Sequence, residues 1–259
     1  MLLEVKDLNI SLTSEKSVAE HISFRLGQGE MLSIVGSSGA GKTTICKAIM
    51  GLLGNTYRAD GEILFQGEDL LDLPERKRQT IYGKEICLIM QNPMTAFNPS
   101  IRVGRQMEKT YLLHHGKTPR QEMQRLFAAI LQKLGLEDTQ RILNSYPFTL
   151  SGGMLQRLMI AAVLMCQPAL LVADEATTAI DACNRIGLMR ELKSFCKDGM
   201  SVLFVTHDLR SASVSDRILV MDRGQIVEQG KTEQILNTPK EDYTKYLLNA
   251  CRLERREMS

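Results

Sequence analysis

The most informative segment of the sequence is Gly36-Ser37-Ser38-Gly39-Ala40-Gly41-Lys42-Thr43. It matches the pattern G-x-x-x-x-G-K-[ST] and lies between an apolar run, 31–35, that predicts a strand and a pattern over 42–53 that predicts a helix. Glycines allow such a loop to curl until consecutive backbone N–H groups point inward, and the N-terminus of the following helix adds about half a positive charge. The stretch therefore predicts a loop that cradles the phosphates of a nucleotide, and we call residues 36–43 the phosphate loop.

Two side chains at the end of the phosphate loop carry the specific contacts. Lys42 is expected to reach the β- and γ-phosphates, and Thr43 is expected to coordinate Mg²⁺. ATP and Mg²⁺ are therefore the expected ligands. The predicted nucleotide-binding residues in and after the loop are Gly36, Ser37, Ser38, Gly39, Ala40, Gly41, Lys42, Thr43 and Thr44.

The other apolar runs predict an α/β fold around this loop. Residues 86–90, 170–173 and 202–206 are short apolar runs separated by helical stretches, which is typical of buried parallel strands. Between residues 92 and 166 the β pattern disappears and helix formers dominate. We therefore expect a doubly wound sheet with an inserted helical subdomain at 92–166, within a single domain that spans 1–259.

The second candidate site segment is an apolar strand that ends in two acids, Leu170-Leu171-Val172-Ala173-Asp174-Glu175. Ligands of open α/β sheets bind at the carboxyl edge, where this strand would place Asp174. Asp174 is expected to partner Mg²⁺ through a water molecule or another ligand. Glu175 can aim at a water in line with the γ-phosphate, as general base or as water-positioner.

Bulk composition narrows the class of protein. Among 259 residues, 32 Lys and Arg against 30 Asp and Glu give a net charge of +2, too near balance for a surface that coats nucleic acid. No apolar run approaches the roughly 18 residues of a spanning helix, and the first residues lack the pattern of a signal peptide. The six cysteines are scattered without a C-x-x-C pair, which argues against a zinc site.

A third segment, residues 150–157, reads Leu-Ser-Gly-Gly-Met-Leu-Gln-Arg and resembles the LSGGQ signature of ABC ATPases, with Met154 in place of the usual Gln. We call it the signature segment. The other motifs of the family have counterparts in the same order along this chain. Gln91 resembles the glutamine of the Q-loop, and residues 178–181, which include Asp181, resemble the D-loop. His207, which follows a predicted strand, resembles the switch histidine. The resemblance covers nearly the whole chain and implies a P-loop NTPase fold with an N-terminal antiparallel β subdomain.

The resemblance also implies a mechanism. Two ABC ATPase subunits dock head to tail, so that Ser151 and Gly153 of one subunit contact the γ-phosphate of the nucleotide on the other. Gln91 and His207 join Glu175 as expected catalytic residues. Gln91 is also expected to bind Mg²⁺, and Asp181 to contribute to the nucleotide site.

The partners that this resemblance implies are a second ATPase subunit, expected to be a paralogue, two membrane permeases and an extracytoplasmic substrate-binding protein. The chain is then expected at the cytoplasmic face of the membrane, as a peripheral subunit that binds no nucleic acid.

Two positions depart from the family pattern. Residues 10–20 contain no aromatic side chain to stack on adenine, a contact worth roughly 1–3 kcal/mol in other nucleotide sites. Ala176 follows Glu175 where the family usually has proline. Adenine binding is therefore expected to use another surface, whereas the chemistry is expected to remain.

The cargo is indicated by resemblance alone. Residues 90–99, Met-Gln-Asn-Pro-Met-Thr-Ala-Phe-Asn-Pro, look like the Q-loop stretch of the peptide and nickel importer group, and residues 146–157 look most like the nickel-import ATPases. Import of nickel or a nickel chelate is the first expectation, and import of di- or oligopeptides is the alternative.

A soluble ABC ATPase that acts on DNA or ribosomes fits less well, because the insert between Gln91 and Ser151 is short. A regulatory module that binds ATP without hydrolysing it is disfavoured, because the set Lys42, Asp174, Glu175 and His207 is intact.

Overall fold

The structure, a computed structural model, describes residues 1–89, 93–175 and 182–257, and the side chains of these residues except 182–184 and 252–257. The described residues form ten β-strands and ten α-helices. The strands are β1 (Leu3–Leu12), β2 (Ser17–Leu26), β3 (Met31–Val35), β4 (Tyr57–Phe65), β5 (Glu68–Asp69), β6 (Ile86–Ile89), β7 (Leu170–Asp174), β8 (Ser201–Thr206), β9 (Arg217–Asp222) and β10 (Gln225–Lys231). The helices are α1 (Lys42–Ile49), α2 (Glu75–Ile81), α3 (Val103–His115), α4 (Arg120–Lys133), α5 (Thr139–Asn144), α6 (Gly152–Leu164), α7 (Ala182–Cys196), α8 (Leu209–Ala212), α9 (Thr232–Asn237) and α10 (Asp242–Glu257).

The strands form two sheets. The first has four antiparallel strands in the order β2-β1-β4-β5, and the second has six in the order β10-β9-β3-β8-β7-β6. Strands β3, β6, β7, β8 and β9 run parallel, and β10 pairs antiparallel with β9 at one edge. The expected fold, a mainly parallel sheet with an N-terminal antiparallel β region, is confirmed.

The central strands of the second sheet are buried on both faces. Every residue of β3 and β8 is buried, which accounts for their near-continuous apolar sequence. The sequence did not predict strands β5, β9 and β10 or helix α2, and it placed the end of α1 at residue 53, whereas the helix ends at Ile49. Gly51, in the left-handed region at φ 64°, follows the last turn and ends the helix.

The helical stretch lies against one face of the parallel sheet. Helices α3, α4, α5 and α6 occupy the chain between β6 and β7, and described residues 93–169 contain no strand. Their buried side chains share one apolar cluster with residues of β6, β7 and β8, such as Ile89, Leu171 and Phe204. Because the core is shared, the boundaries 92–166 of a separate subdomain stay a prediction.

A second cluster fills the space between the two sheets and α1, and a third lies beneath α10. Among the described residues, the structure contains no helix long and apolar enough to cross a bilayer.

Candidate functional site

Three loops meet at the carboxyl edge of the parallel sheet. Val35 at the end of β3 pairs with Thr206 at the end of β8, and Asp174 at the end of β7 pairs with Val205. The segments that follow these strand ends carry the phosphate loop, Glu175 and His207. Adjacent parallel strands of matched length therefore bring together side chains that are far apart in sequence.

The phosphate loop is shaped by its glycines. Gly39 and Gly41 have φ values of 83° and 93°, in the left-handed region where a side chain would be strained. A Cβ at Gly41 would lie 2.7 Å from the Val18 carbonyl oxygen, and one at Gly36 would lie 2.2 Å from that of Met221. The loop can therefore pack this closely against neighbouring backbone only with glycine at these positions.

Lys42 begins helix α1 and points back into the loop. Its Nζ donates hydrogen bonds to the carbonyl oxygens of Gly36 at 2.8 Å and Ser37 at 2.7 Å. Burial lowers the pKa of the Lys42 ammonium, and the nearby Glu175 and Asp174 carboxylates act in the opposite direction. The structure thus holds a buried cation at the centre of the loop, where a phosphate anion would satisfy its charge.

Thr43 and Asp174 form a pair of oxygen donors beside the loop. The Thr43 hydroxyl donates to Asp174 Oδ1 at 3.2 Å. Burial raises the pKa of the Asp174 carboxyl, and the hydrogen bond from Thr43 opposes that shift. A hydroxyl and a partly desolvated carboxylate fit Mg²⁺, which prefers hard oxygen ligands and would offset the cost of burying the negative charge.

Glu175 and His207 form a second pair. Glu175 is a non-glycine residue in the left-handed region, at φ 49°, and its backbone N–H donates to the Val205 carbonyl at 2.9 Å. His207 Nδ1 lies 3.1 Å from Glu175 Oε1. The Glu175 side chain is 23% exposed, so water can reach the carboxylate. A left-handed backbone at a non-glycine residue costs free energy, which makes Glu175 a candidate for a functional position.

The segment after His207 is held by Asp208. Its carboxylate caps α8 by accepting hydrogen bonds from the backbone N–H of Arg210 at 2.9 Å and of Ser211 at 3.3 Å. It also accepts the Ser211 hydroxyl at 2.7 Å. This cap fixes the turn on which His207 lies.

The signature segment has a different character. Ser151 caps α6, where its Oγ accepts the Met154 N–H at 3.3 Å. A Cβ at Gly152 or Gly153 would meet no atom within 4 Å, so both glycines border open space. Met154, which stands in for the family's Gln, packs against the apolar cluster of the helical stretch.

The structure brings the phosphate loop, Asp174, Glu175 and His207 to one place, and it positions Ser151 and Gly153 at the N-terminus of α6, which packs on α3, α4 and β6. Gln91 and Asp181 lie outside the described residues.

One contact of the phosphate loop was not predicted from the sequence: the Tyr243 hydroxyl in α10 accepts a hydrogen bond from the Ser37 N–H at 3.1 Å. No motif includes Tyr243, so only the fold reveals this contact.

Comparisons with known proteins show the family of this chain. Residues 19–178 match the family described as ABC transporter. The ATP-binding protein CntD of a metal-staphylopine import system in Staphylococcus aureus is 40% identical over 251 residues, 96% of this chain and 92% of the relative. The oligopeptide transport ATP-binding protein OppD of Bacillus subtilis is 41% identical over 254 residues, 95% of this chain and 71% of the relative.

Solved structures give the same answer for the fold. A dimeric ATP-binding cassette in a post-hydrolysis state, bound to ADP and Pi, superposes with a TM-score of 0.78 at 26% identity, covering 89% of this chain and 99% of that one. The protein cbiO1 of Clostridium perfringens, part of a cbiONQ transporter complex, reaches a TM-score of 0.80 at 23% identity and covers 99% of this chain and 96% of its own.

Proposed function

This chain belongs to the ABC transporter family as the ATP-binding, ATP-hydrolysing subunit of an importer, and we propose that Lys42, Asp174, Glu175 and His207 form its catalytic half-site. The observation that carries this assignment is the Thr43–Asp174 pair at 3.2 Å and the Glu175–His207 pair at 3.1 Å, both at the mouth of a glycine-shaped phosphate loop. These are the groups that phosphoryl transfer to water needs: a phosphate cradle, a metal site and a base.

Binding of ATP is assigned to the loop. Residues 36–44 line the phosphate site: the inward backbone N–H groups of the loop, apart from that of Ser37, and the N-terminus of α1 receive the phosphates. The Lys42 ammonium, now bonded to carbonyl oxygens, supplies the positive charge. Thr43 and Asp174 would hold Mg²⁺, which neutralises charge on the phosphate oxygens when bound.

Hydrolysis is assigned to Glu175 with His207. The Glu175 carboxylate accepts a proton from the attacking water, or orients that water, and the imidazole 3.1 Å away fixes the direction of the carboxylate. Gln91 is assigned to the same step and to Mg²⁺ from its place in the sequence.

We assign Ser151 and Gly153 to the nucleotide of a second ATPase subunit. Ser151 is occupied as a helix cap, yet the helix N-terminus and the two glycines face open space where an anionic phosphate could approach. Asp181 is assigned to the same composite site. The second subunit is proposed to be a paralogue, so that the working motor is a heterodimer.

The remaining partners follow from the importer role. We propose that the chain binds two permeases at the cytoplasmic face of the membrane, that the Gln91 region transmits dimer closure to them, and that an extracytoplasmic binding protein delivers the cargo.

For the cargo, nickel or a nickel chelate is proposed first, supported by 40% identity to a metal-staphylopine import ATPase. A di- or oligopeptide is the alternative, supported by similar identity to OppD and to the dipeptide transport protein DppD of Haemophilus influenzae. Uptake of ⁶³Ni and of a labelled tripeptide, measured in cells with and without the gene, distinguishes the two.

The test of the composite site is phosphate release as a function of subunit concentration. Because two subunits complete each site, the specific activity should rise with the concentration of the chain or its partner. A high specific activity that does not change on dilution, from protein that is monomeric by light scattering, would refute the arrangement.

A further inference from the structure

Helix α10 contacts both sides of the proposed nucleotide site. In its first turn the Tyr243 hydroxyl accepts a hydrogen bond from the Ser37 N–H of the phosphate loop at 3.1 Å. Two turns later the Cys251 carbonyl accepts a hydrogen bond from Arg210 Nη2 at 2.7 Å. Arg210 lies in α8, which begins directly after His207 and Asp208. One helix therefore touches the loop that binds phosphate and the turn that carries the histidine.

Apolar packing supports both contacts. Tyr243, Leu247 and Cys251 follow each other at four-residue intervals, which places them on one face of α10. All three pack against the cluster that contains Val35 and Leu209. Val35 immediately precedes the phosphate loop and Leu209 begins α8, so the packed face of α10 lies over the roots of both segments.

The start of α10 is fixed by Glu228 in β10. The Glu228 carboxylate accepts hydrogen bonds from the backbone N–H groups of Lys240 at 2.8 Å and Glu241 at 3.2 Å. Burial opposes ionisation of Glu228, but the hydrogen bonds that its carboxylate accepts lower its pKa below its usual value. A carboxylate at a helix N-terminus is also favoured by the helix dipole. The helix is therefore anchored to the sheet before it reaches the loop.

We propose that Tyr243 is a positioning residue for nucleotide binding and that α10 braces the phosphate loop against the segment of His207. This inference rests on the proposed function, because it concerns the same site. A loop with two left-handed glycines loses much conformational freedom when it closes on phosphates. A hydrogen bond to Ser37 restricts the loop in advance and lowers that cost.

The test uses Tyr243→Phe, which removes the hydroxyl and keeps the ring that packs against the core. Tyr246→Phe is the matched control, because Tyr246 stacks on Tyr243 with ring centroids 6.5 Å apart and is 67% exposed. Affinity for MgADP is measured by isothermal titration calorimetry on the full chain, since ADP uses the loop and is not hydrolysed. Thermal unfolding is followed in parallel.

We expect Tyr243→Phe to weaken MgADP binding about two- to tenfold, the effect of one lost hydrogen bond. Its melting temperature should match that of the control, and Tyr246→Phe should bind like the unaltered chain. Equal affinity in Tyr243→Phe and the unaltered chain would overturn the inference. Tighter binding would also overturn it, because the hydroxyl would then compete with the nucleotide instead of supporting the loop.

A double-mutant cycle identifies the partner of the hydroxyl. Ser37→Pro removes the Ser37 N–H, and Ser37 is not among the residues with positive φ, the region closed to proline. If Tyr243 acts through that N–H, adding Tyr243→Phe to Ser37→Pro should change the MgADP affinity no further. A full additional loss in the double variant would contradict the assigned contact. Absence of MgADP binding to the unaltered chain would overturn the proposed function itself, and this inference with it.

Discussion

The phosphate loop and the signature segment both begin a helix with glycines, yet their surroundings differ. The phosphate loop is enclosed: Lys42 is buried, its ammonium is bonded to two loop carbonyls, and Gly36 and Gly41 lie against other backbone. In the signature segment, Gly152 and Gly153 border open space. The phosphate loop is therefore enclosed by its own chain, whereas the glycines of the signature segment border space that a second molecule can fill.

Exposed aromatic side chains next to the signature segment extend this difference. Tyr146 and Phe148 stack with ring centroids 5.6 Å apart, and Phe148 is 66% exposed. Arg102 lies over the Tyr146 ring with its guanidinium 5.8 Å from the centroid. An apolar, arginine-flanked surface of this kind is typical of protein interfaces. We therefore propose nucleotide binding for the phosphate loop and subunit assembly for the surface around the signature segment.

The first prediction removes the charge of the enclosed region. Lys42→Ala should lower the affinity for a non-hydrolysable MgATP analogue by about 10²–10⁴-fold, because the charge-assisted contacts expected with the β- and γ-phosphates are lost. Equilibrium titration measures the loss. Lys47→Ala is the control, since Lys47 is an exposed lysine on the same helix. Unchanged affinity in Lys42→Ala would remove the phosphate loop from the account.

A second prediction obstructs the open region with a charged side chain. Gly153→Asp should leave the chain folded, because the added side chain meets open space, and should leave its own MgADP affinity unchanged. Hydrolysis in the assembled ATPase pair should fall about 10²–10³-fold at the site that this segment completes, the typical cost of losing transition-state stabilisation.

Gly153→Ala is the graded control for the second prediction, because alanine raises helix propensity without adding charge. If Gly153→Asp instead lowered the nucleotide affinity of the isolated chain, the signature segment would act on the phosphate loop of its own chain. The proposed division of roles between the two regions would then be wrong.

The sequence predicted the enclosed site because its chemistry is local. Glycine spacing, Lys42 and Thr43 are adjacent, and strand patterns place Asp174 and Glu175 at the sheet edge. The contact of Tyr243 with Ser37 could not be predicted, since it joins residues 206 positions apart through packing of α10.

Some secondary structure outside the motifs could not be predicted from the local sequence either. Strand β10 contains adjacent apolar residues without alternation, and it forms because it pairs with β9. Beyond α1, Leu52 and Leu53 continue the apolar pattern, but the left-handed Gly51 ends the helix before them. Tertiary pairing and one glycine conformation thus decided what local pattern could not.

The third and smallest predicted effect concerns Asp174, where function and stability conflict. Burial raises the pKa of Asp174 in the folded chain. The protonated carboxyl therefore contributes its full stabilisation below the pKa of the unfolded chain, and this stabilisation is lost as the pH rises through the folded pKa. At pH 7 the ionised carboxylate therefore costs stability. Asp174→Asn should raise the melting temperature without nucleotide by up to about 2–4 °C, the shift that 1 kcal/mol produces at this size, while hydrolysis is lost.

The Asp174→Asn difference should narrow as pH falls below the raised pKa, because both side chains are then neutral. Thermal unfolding at pH 7 and at pH 4 measures it. A melting temperature at pH 7 that falls in Asp174→Asn would show that the carboxylate supports the fold instead of serving the ligand.

The most direct test of the central claim, that an enclosed half-site is completed by another subunit's open segment, is Glu175→Gln. The amide keeps the size of the side chain but cannot accept a proton from water, so phosphate release should fall about 10²–10⁴-fold. Thr43 and Asp174 are unchanged, so ATP should stay bound. Size-exclusion chromatography with light scattering should then show this variant and its partner ATPase as a dimer with ATP and as monomers without it. Hydrolysis at the unaltered rate, or monomers in both conditions, would contradict the account.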